Sequence, residues 1–452
     1  MPHHRWRDPQ EGSAAGDLRE GKEVGLSRRF LPVRVRPVWL IAVALAGLGS
    51  SCSCTSPLAV DAGVASCECP SPPQAANVTP PRASSRSEPT TESPHVHPLE
   101  VCDGKGKSPL DAAQEAFDAR EYERALSCAA QAAALSPNDV IAHTERANAL
   151  AQLDRNDEAV LAYARALAID PDSLDALAGA AHFYVVLMPS TREMDELGST
   201  YAERGYKLAN AQHELGMSVV FARISAMAFN DLGQPDESLE RADYVLSREK
   251  NDPEATYERA VALFELCRFS EARTAFTKLL DDRERAAWAH HHLGLLLERE
   301  GKEKEADVHF GKARALDADS FPLPVILTQE EFKAELDKAL GELPADMKKD
   351  LGGIPVQMED IPQEIDLISG DPPLSPSILG LFRGTPLGEP CEPEPDAKPG
   401  DPCRSIVLYR KNLGRAVKSR DELNEQIRVT LLHEVGHLRG EDDSELAARG
   451  LE

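Results

Sequence analysis

The chain has 452 residues, 50 Lys+Arg against 76 Asp+Glu, and a formal net charge of -26. A surface this acidic repels phosphate backbones, which argues against sequence-independent nucleic-acid binding and toward neutral or basic partners. With 42% hydrophobic residues, only 5% aromatic ones, and Ala, Leu, Glu and Arg frequent, the composition excludes a disordered chain and favours helices over a β-sandwich or barrel.

Residues 1–54 are expected to form an export signal. The apolar run Val38 to Gly49 follows Arg28, Arg29, Arg34 and Arg36, and it is shorter than the roughly 20 residues of a bilayer span. Ser50-Ser51-Cys52-Ser53-Cys54 comes next. The arrangement resembles a bacterial lipoprotein signal, which implies acylation of Cys52 as the first residue of the mature chain. Gly49 stands where that pattern prefers an aliphatic residue, so plain cleavage and an uncleaved anchor remain alternatives. The expected location is periplasmic or cell-envelope, with membrane anchoring through the N-terminus. Residues 55–105, rich in Ser, Pro, Thr and Ala, cannot bury a core and are expected to be a flexible tether.

A periodicity governs residues 106–320. Ala125, Ala159, Ala202, Ser238, Ala272 and Ala306 are spaced 34, 43, 36, 34 and 34 residues apart, each with partners four and seven residues later on one helix face. Ala113, Ala147, Ala226, Ala260 and Gly294 stand twelve residues before most of these anchors, where two helices must approach closely. This pattern resembles the tetratricopeptide repeat in about six copies, the third carrying an insertion around Met188 to Met194. The resemblance implies a solenoid of helix pairs whose concave face binds a protein partner or extended peptide. His290-His291-His292 cannot converge on one metal ion, because consecutive helical residues point about 100° apart; exposed and packing positions are expected instead. Cys128 and Cys267 fall in helical patterns and are expected to be small core residues, whereas Cys391 and Cys403 bracket a turn-rich loop of the size a disulfide staples.

The C-terminal residues carry the chemistry. Ser419 and Glu422 predict a capping box, Leu423, Ile427, Leu431, Val435 and Leu438 a helical apolar stripe, and Gly440 the helix end. On such a helix His433 and His437 lie one turn apart on one face and can bind a single Zn2+, with Glu434 beside the metal as general base for an attacking water. The break at Gly440 lets the chain return a third ligand, for which Asp443 is chosen, with Glu441, Asp442 and Glu445 as runners-up. His433-Glu-x-x-His437-x-x-Gly440-x-x-Asp443 matches the extended pattern of metzincin-like enzymes, although no methionine follows Met358 to form their Met-turn.

Upstream, Leu381-Phe382-Arg383-Gly384-Thr385-Pro386 and Ile406-Val407-Leu408-Tyr409-Arg410 complete a set of strings that resembles the small bacterial zincin-like metallopeptidase family from about residue 327 onward. The resemblance implies a compact α+β domain over 325–452 that hydrolyses peptide bonds with one catalytic zinc. Ser405 to Arg410 is expected to be the edge strand that pairs with an extended peptide. Tyr409 and Arg410 are expected to serve as strand packing and surface charge, with an oxyanion role as the alternative. The predicted whole is multidomain, an all-α repeat solenoid followed by a small α+β zincin-like domain. Its predicted function is an exported metallopeptidase with a docking solenoid; the alternative is a repeat scaffold whose zincin domain is weakly active or inactive.

Overall fold

The structure is a computed structural model that describes residues 102–103, 106–370, 372–391 and 402–451. The export signal, Cys52 and nearly all of the tether lie outside the described residues. Among the described residues no helix is long and apolar enough to cross a membrane.

Six helix pairs make up the solenoid. They are α1 (Pro109–Asp118) with α2 (Tyr122–Leu135), α3 (Val140–Gln152) with α4 (Asn156–Ile169), α5 (Leu174–His182) with α6 (Arg192–Ala211), α7 (Leu215–Asp231) with α8 (Pro235–Leu246), α9 (Pro253–Glu265) with α10 (Phe269–Thr277), and α11 (Ala286–Arg299) with α12 (Glu303–Leu316). The small residues of the periodic pattern are buried where these helices meet. At Gly294 a Cβ would sit 2.6 Å from the Phe310 ring, so this position admits no larger side chain without moving α12. Five of the pairs reverse direction through a single residue with positive φ, at Arg120, Asp154, Gly233, Cys267 and Gly301. The third pair lacks such a residue. There α5 runs into a π-helical turn, Phe183–Leu187, and the inserted residues form an extended link to α6.

Two sequence expectations are corrected here. Cys128 is not a plain core thiol: it is bonded to Cys102, 26 residues earlier, with Cα atoms 4.7 Å apart. The bond ties the segment before α1 onto the first helix pair, a pairing that helical periodicity cannot reveal because Cys102 lies outside any helix. His290, His291 and His292 all serve packing, and none is exposed. Their rings meet His309, Phe321 and Phe276 respectively, the last as a stack with centroids 4.5 Å apart.

The aromatic cage around His292, formed by Tyr257, Phe264 and Phe276, depresses its pKa by burial to about 4, although the Trp288 carbonyl that faces its Nδ1 at 2.9 Å acts the other way. A depressed folded-state pKa means that the stabilisation is complete above the unfolded value of about 6.5 and is lost as pH falls toward 4. His292→Phe keeps the ring stack and removes the titration. Urea unfolding is therefore expected to show the wild type losing roughly 3 kcal/mol more than His292→Phe between pH 7 and pH 4; equal losses would refute the assignment.

The C-terminal domain consists of α13 (Gln329–Glu342), α14 (Ala345–Leu351), β1 (Val356–Glu359), α15 (Glu364–Leu367), β2 (Gly380–Arg383), β3 (Ser405–Tyr409), α16 (Arg410–Ala416), α17 (Arg420–Arg439) and α18 (Asp443–Ala447). A Thr328/Glu331 capping box starts α13, whose Phe332 and Leu336 join Ile406, Leu408, Leu423, Ile427, Leu431 and Val435 in one core. The sheet order is β1-β3-β2, with β3 parallel to β1 and antiparallel to β2. This overturns the expectation that Ser405 to Arg410 is an edge strand. Every residue of β3 is buried, and both of its edges are already paired. The unbroken apolar run Ile406-Val407-Leu408 reports burial on both faces, which is what a central strand requires.

The domain packs on the last helix pairs of the solenoid. Glu298 of α11 lies 2.7 Å from Arg415 and 3.2 Å from Lys411 of α16, and the Val325 N–H donates to the Gly414 carbonyl at 2.7 Å. A cleft of about 580 Å³ opens at this junction between Phe310, Phe321 and Arg415, away from the histidine pair of α17.

Candidate metal centre

Ser419 caps α17 by accepting the Glu422 N–H at 3.2 Å. The Glu422 carboxylate accepts from the Lys418 N–H at 2.8 Å, so the predicted reciprocal box is displaced by one residue. Leu423, Ile427, Leu431, Val435 and Leu438 are fully buried, which holds α17 against the sheet and turns His433 and His437 to the open face of the helix. At its C-terminus Gly440 takes φ 89°, a left-handed cap that a residue with a Cβ adopts only at a cost. Asp442 and Glu445 then form a capping box that starts α18, and Asp443 is the first residue of that helix.

This turn brings three ligand atoms together. His433 Nε2 and His437 Nε2 are 2.9 Å apart, and Asp443 Oδ1 lies 3.2 Å from the second and 3.6 Å from the first. Ligand atoms around a tetrahedral zinc with bonds of about 2.0–2.1 Å are about 3.3 Å apart, so the cluster has the right dimensions. Its chemistry fits as well. His433 Nδ1 faces the Leu451 carbonyl at 2.5 Å and His437 Nδ1 faces the Glu441 carbonyl at 3.0 Å. A carbonyl only accepts, so each Nδ1 carries a proton, which leaves Nε2 as the ring nitrogen able to bind a metal. Two imidazole nitrogens and a carboxylate oxygen then point at one place, a donor set that suits a zinc ion. The Asp443 side chain is 88% exposed, which leaves one side of the cluster open to solvent.

The runners-up are engaged elsewhere. Asp442 and Glu445 cap each other's backbone, and Glu441 pairs with Arg449. Glu434 is only 5% exposed. It accepts a hydrogen bond from the Phe382 N–H, and burial raises its carboxyl to about 8, with the nearby Asp443 charge acting in the same direction. A cation at the cluster opposes both effects.

Sequence reasoning missed what lies over Glu434. Leu379 O accepts from Tyr409 N–H, so in this antiparallel register Gly380 and Phe382 turn their backbone groups outward, away from β3. That outer edge of β2 runs beside Glu434. A Cβ on Gly380 would lie 2.7 Å from Glu434 Oε1 and from Thr430 Cγ2, so glycine is what lets the strand approach the helix. Arg410 takes no part: Asp360 holds its Nε at 2.9 Å and its Nη2 at 2.7 Å, and the Leu327 carbonyl accepts a further hydrogen bond. Tyr409 is fully buried and burial pushes its phenol up, so strand packing accounts for it. Cys391 and Cys403 are disulfide-bonded with Cα atoms 5.9 Å apart, beside the segment whose Leu387 N–H donates to Leu438 O near the end of α17.

Residues 351–451 match the family model of the zincin-like metallopeptidases, and residues 110–173 and 225–287 match that of the tetratricopeptide repeat. The chain is a tetratricopeptide-repeat solenoid joined to a zincin-like domain. No curated protein matches it. Among solved structures it is similar to YrrB, a TPR protein with an unusual peptide-binding site, at 20% identity over 43% of this chain and 94% of that one, with a TM-score of 0.35. PilW, a widely conserved type IV pilus biogenesis factor, is similar at 17% identity over 46% and 91%, TM-score 0.39. PilF of Pseudomonas aeruginosa is similar at 15% identity over 50% and 96%, TM-score 0.40.

Proposed function

We propose that the chain is an exported zinc-dependent metallopeptidase whose repeats dock a protein substrate or partner on their concave face. The observation that carries this reading is the convergence of His433 Nε2, His437 Nε2 and Asp443 Oδ1 on one point, with both imidazole tautomers set by backbone carbonyls. When bound there, zinc supplies Lewis acidity toward a peptide carbonyl and acidifies the attacking water. Glu434 holds the proton removed from that water on its carboxylate and returns it to the leaving amine. An extended peptide adds to the outer edge of β2, where the outward backbone groups of Gly380 and the Phe382 carbonyl orient it beside Glu434. Two disulfides, Cys102–Cys128 and Cys391–Cys403, suit an oxidising compartment, which supports export to the cell envelope; acylation at Cys52 would anchor the chain there.

The test is metal content of the full chain after dialysis, by elemental analysis, wild type beside His437→Ala. About one zinc per wild-type chain and none in the variant is expected. No zinc in the wild type, even after reconstitution, would refute the metallopeptidase.

A second reading, a binding scaffold with little turnover, is favoured by one observation: Glu434 is buried beneath β2 and already engaged by the Phe382 N–H. Glu434→Gln separates the two, because it removes the proton acceptor and keeps the contact with the Phe382 N–H.

A further inference from the structure

The segment after Gly440 touches the metal cluster three times. The Glu441 carbonyl meets His437 Nδ1, Asp443 supplies its carboxylate, and the Leu451 carbonyl meets His433 Nδ1. Between the second and third contacts the segment is pinned to α17. Leu446 is fully buried against Gly436, where a Cβ would lie 2.3 Å from Leu446 Cδ2, so the absence of a side chain at the position between the two histidines makes a seat for it. Arg449 pairs with Glu441, and the Leu451 N–H donates to the Leu446 carbonyl at 3.1 Å, with Leu451 itself 8% exposed.

Resting on the zinc assignment above, we infer that residues 441–451 form a positioning strap and that the Leu451 carbonyl is a positioning group for zinc through His433. The physical reason is tautomeric. A neutral imidazole places its one proton on either nitrogen, and only the form protonated at Nδ1 offers Nε2 to the metal. The Leu451 carbonyl holds His433 in that form and fixes the ring's rotation, as the Glu441 carbonyl does for His437. Carbonyls that orient a ligating histidine are worth about 10- to 100-fold in metal affinity. The two carbonyls differ in origin. Glu441 follows directly from the helix-ending turn, whereas Leu451 reaches His433 only because Leu446 seats on Gly436 and turns the chain back.

The test uses the full chain in three variants: deletion of residues 450–452, Leu451→Ala, and Gly436→Ala. Zinc affinity is measured by competition with a chelator, and the visible spectrum of the cobalt-substituted protein reports ligand geometry. Deletion removes the carbonyl and is expected to weaken zinc binding by about 10- to 100-fold and to change the cobalt spectrum. Leu451→Ala keeps the carbonyl and is expected to stay within about threefold of wild type. Gly436→Ala unseats Leu446 while leaving every donor in place, and is expected to weaken binding as the deletion does; it decides the matter if the deleted chain does not fold.

Wild-type affinity in both the deletion and Gly436→Ala would overturn the strap while leaving the zinc site standing. So would a loss in Leu451→Ala equal to that of the deletion, because side-chain packing would then be the cause. A wild-type chain that binds no zinc would overturn both.

Discussion

Glu434→Gln is expected to lower kcat/KM for peptide hydrolysis by about 100- to 10,000-fold while zinc content stays at the wild-type level. Glutamine has nearly the same volume, and its carbonyl oxygen can accept the Phe382 N–H that the carboxylate now accepts, so the contact beneath β2 survives. What is lost is the ability to take up a proton. Burial of Glu434 sharpens the comparison, because a residue 5% exposed has no solvent-side function that the substitution could disturb. Hydrolysis of a peptide mixture, followed by mass spectrometry with zinc quantified on the same samples, checks it. Wild-type cleavage in the variant would remove Glu434 from catalysis, and unchanged function in the native setting would favour the scaffold.

Among the four acids that follow Gly440, Asp443→Ala is expected to weaken zinc binding by more than the roughly 10- to 100-fold that an outer-shell partner is worth. Glu441→Gln, Asp442→Asn and Glu445→Gln are expected to bind zinc nearly as the wild type does. Only Asp443 has a carboxylate oxygen within 3.2 and 3.6 Å of the two imidazole nitrogens. Asp442 and Glu445 cap α18, and their loss frays the start of that helix without removing a group from the cluster. Glu441 acts on His437 through its backbone carbonyl, which Glu441→Gln retains. Chelator competition on the four variants ranks them directly. A greater loss in Glu445→Gln than in Asp443→Ala would show that α18 rearranges when zinc is bound and that the third ligand has been misassigned.

The features legible in the sequence are those with a short repeat or a fixed local spacing. The six helix pairs follow from small residues recurring near every 34 positions, because close helix packing forbids large ones there. The helix that carries His433 and His437 follows from an apolar stripe and a terminal glycine, and a spacing of four residues places both rings on one face whatever else the fold does. The sequence also narrowed the candidates for a third metal ligand to a handful of acids, because a left-handed cap at Gly440 turns the chain back near the helix end.

Pairing between distant segments was decided by the tertiary structure alone. An apolar run such as Ser405 to Tyr409 announces burial, but whether a strand is central or at an edge depends on what pairs with it, and here β1 and β2 take both sides. The left-handed turns at Arg120, Asp154 and Cys267 carry no glycine to announce them. Cys102 carries no helical pattern that would match it to Cys128. The approach of Gly380 to Glu434, and of the Leu451 carbonyl to His433, are contacts made by backbone atoms, which every residue possesses and which therefore leave no mark in side-chain identity. Side chains specified which groups would do chemistry, and the backbone, once folded, specified how those groups are held.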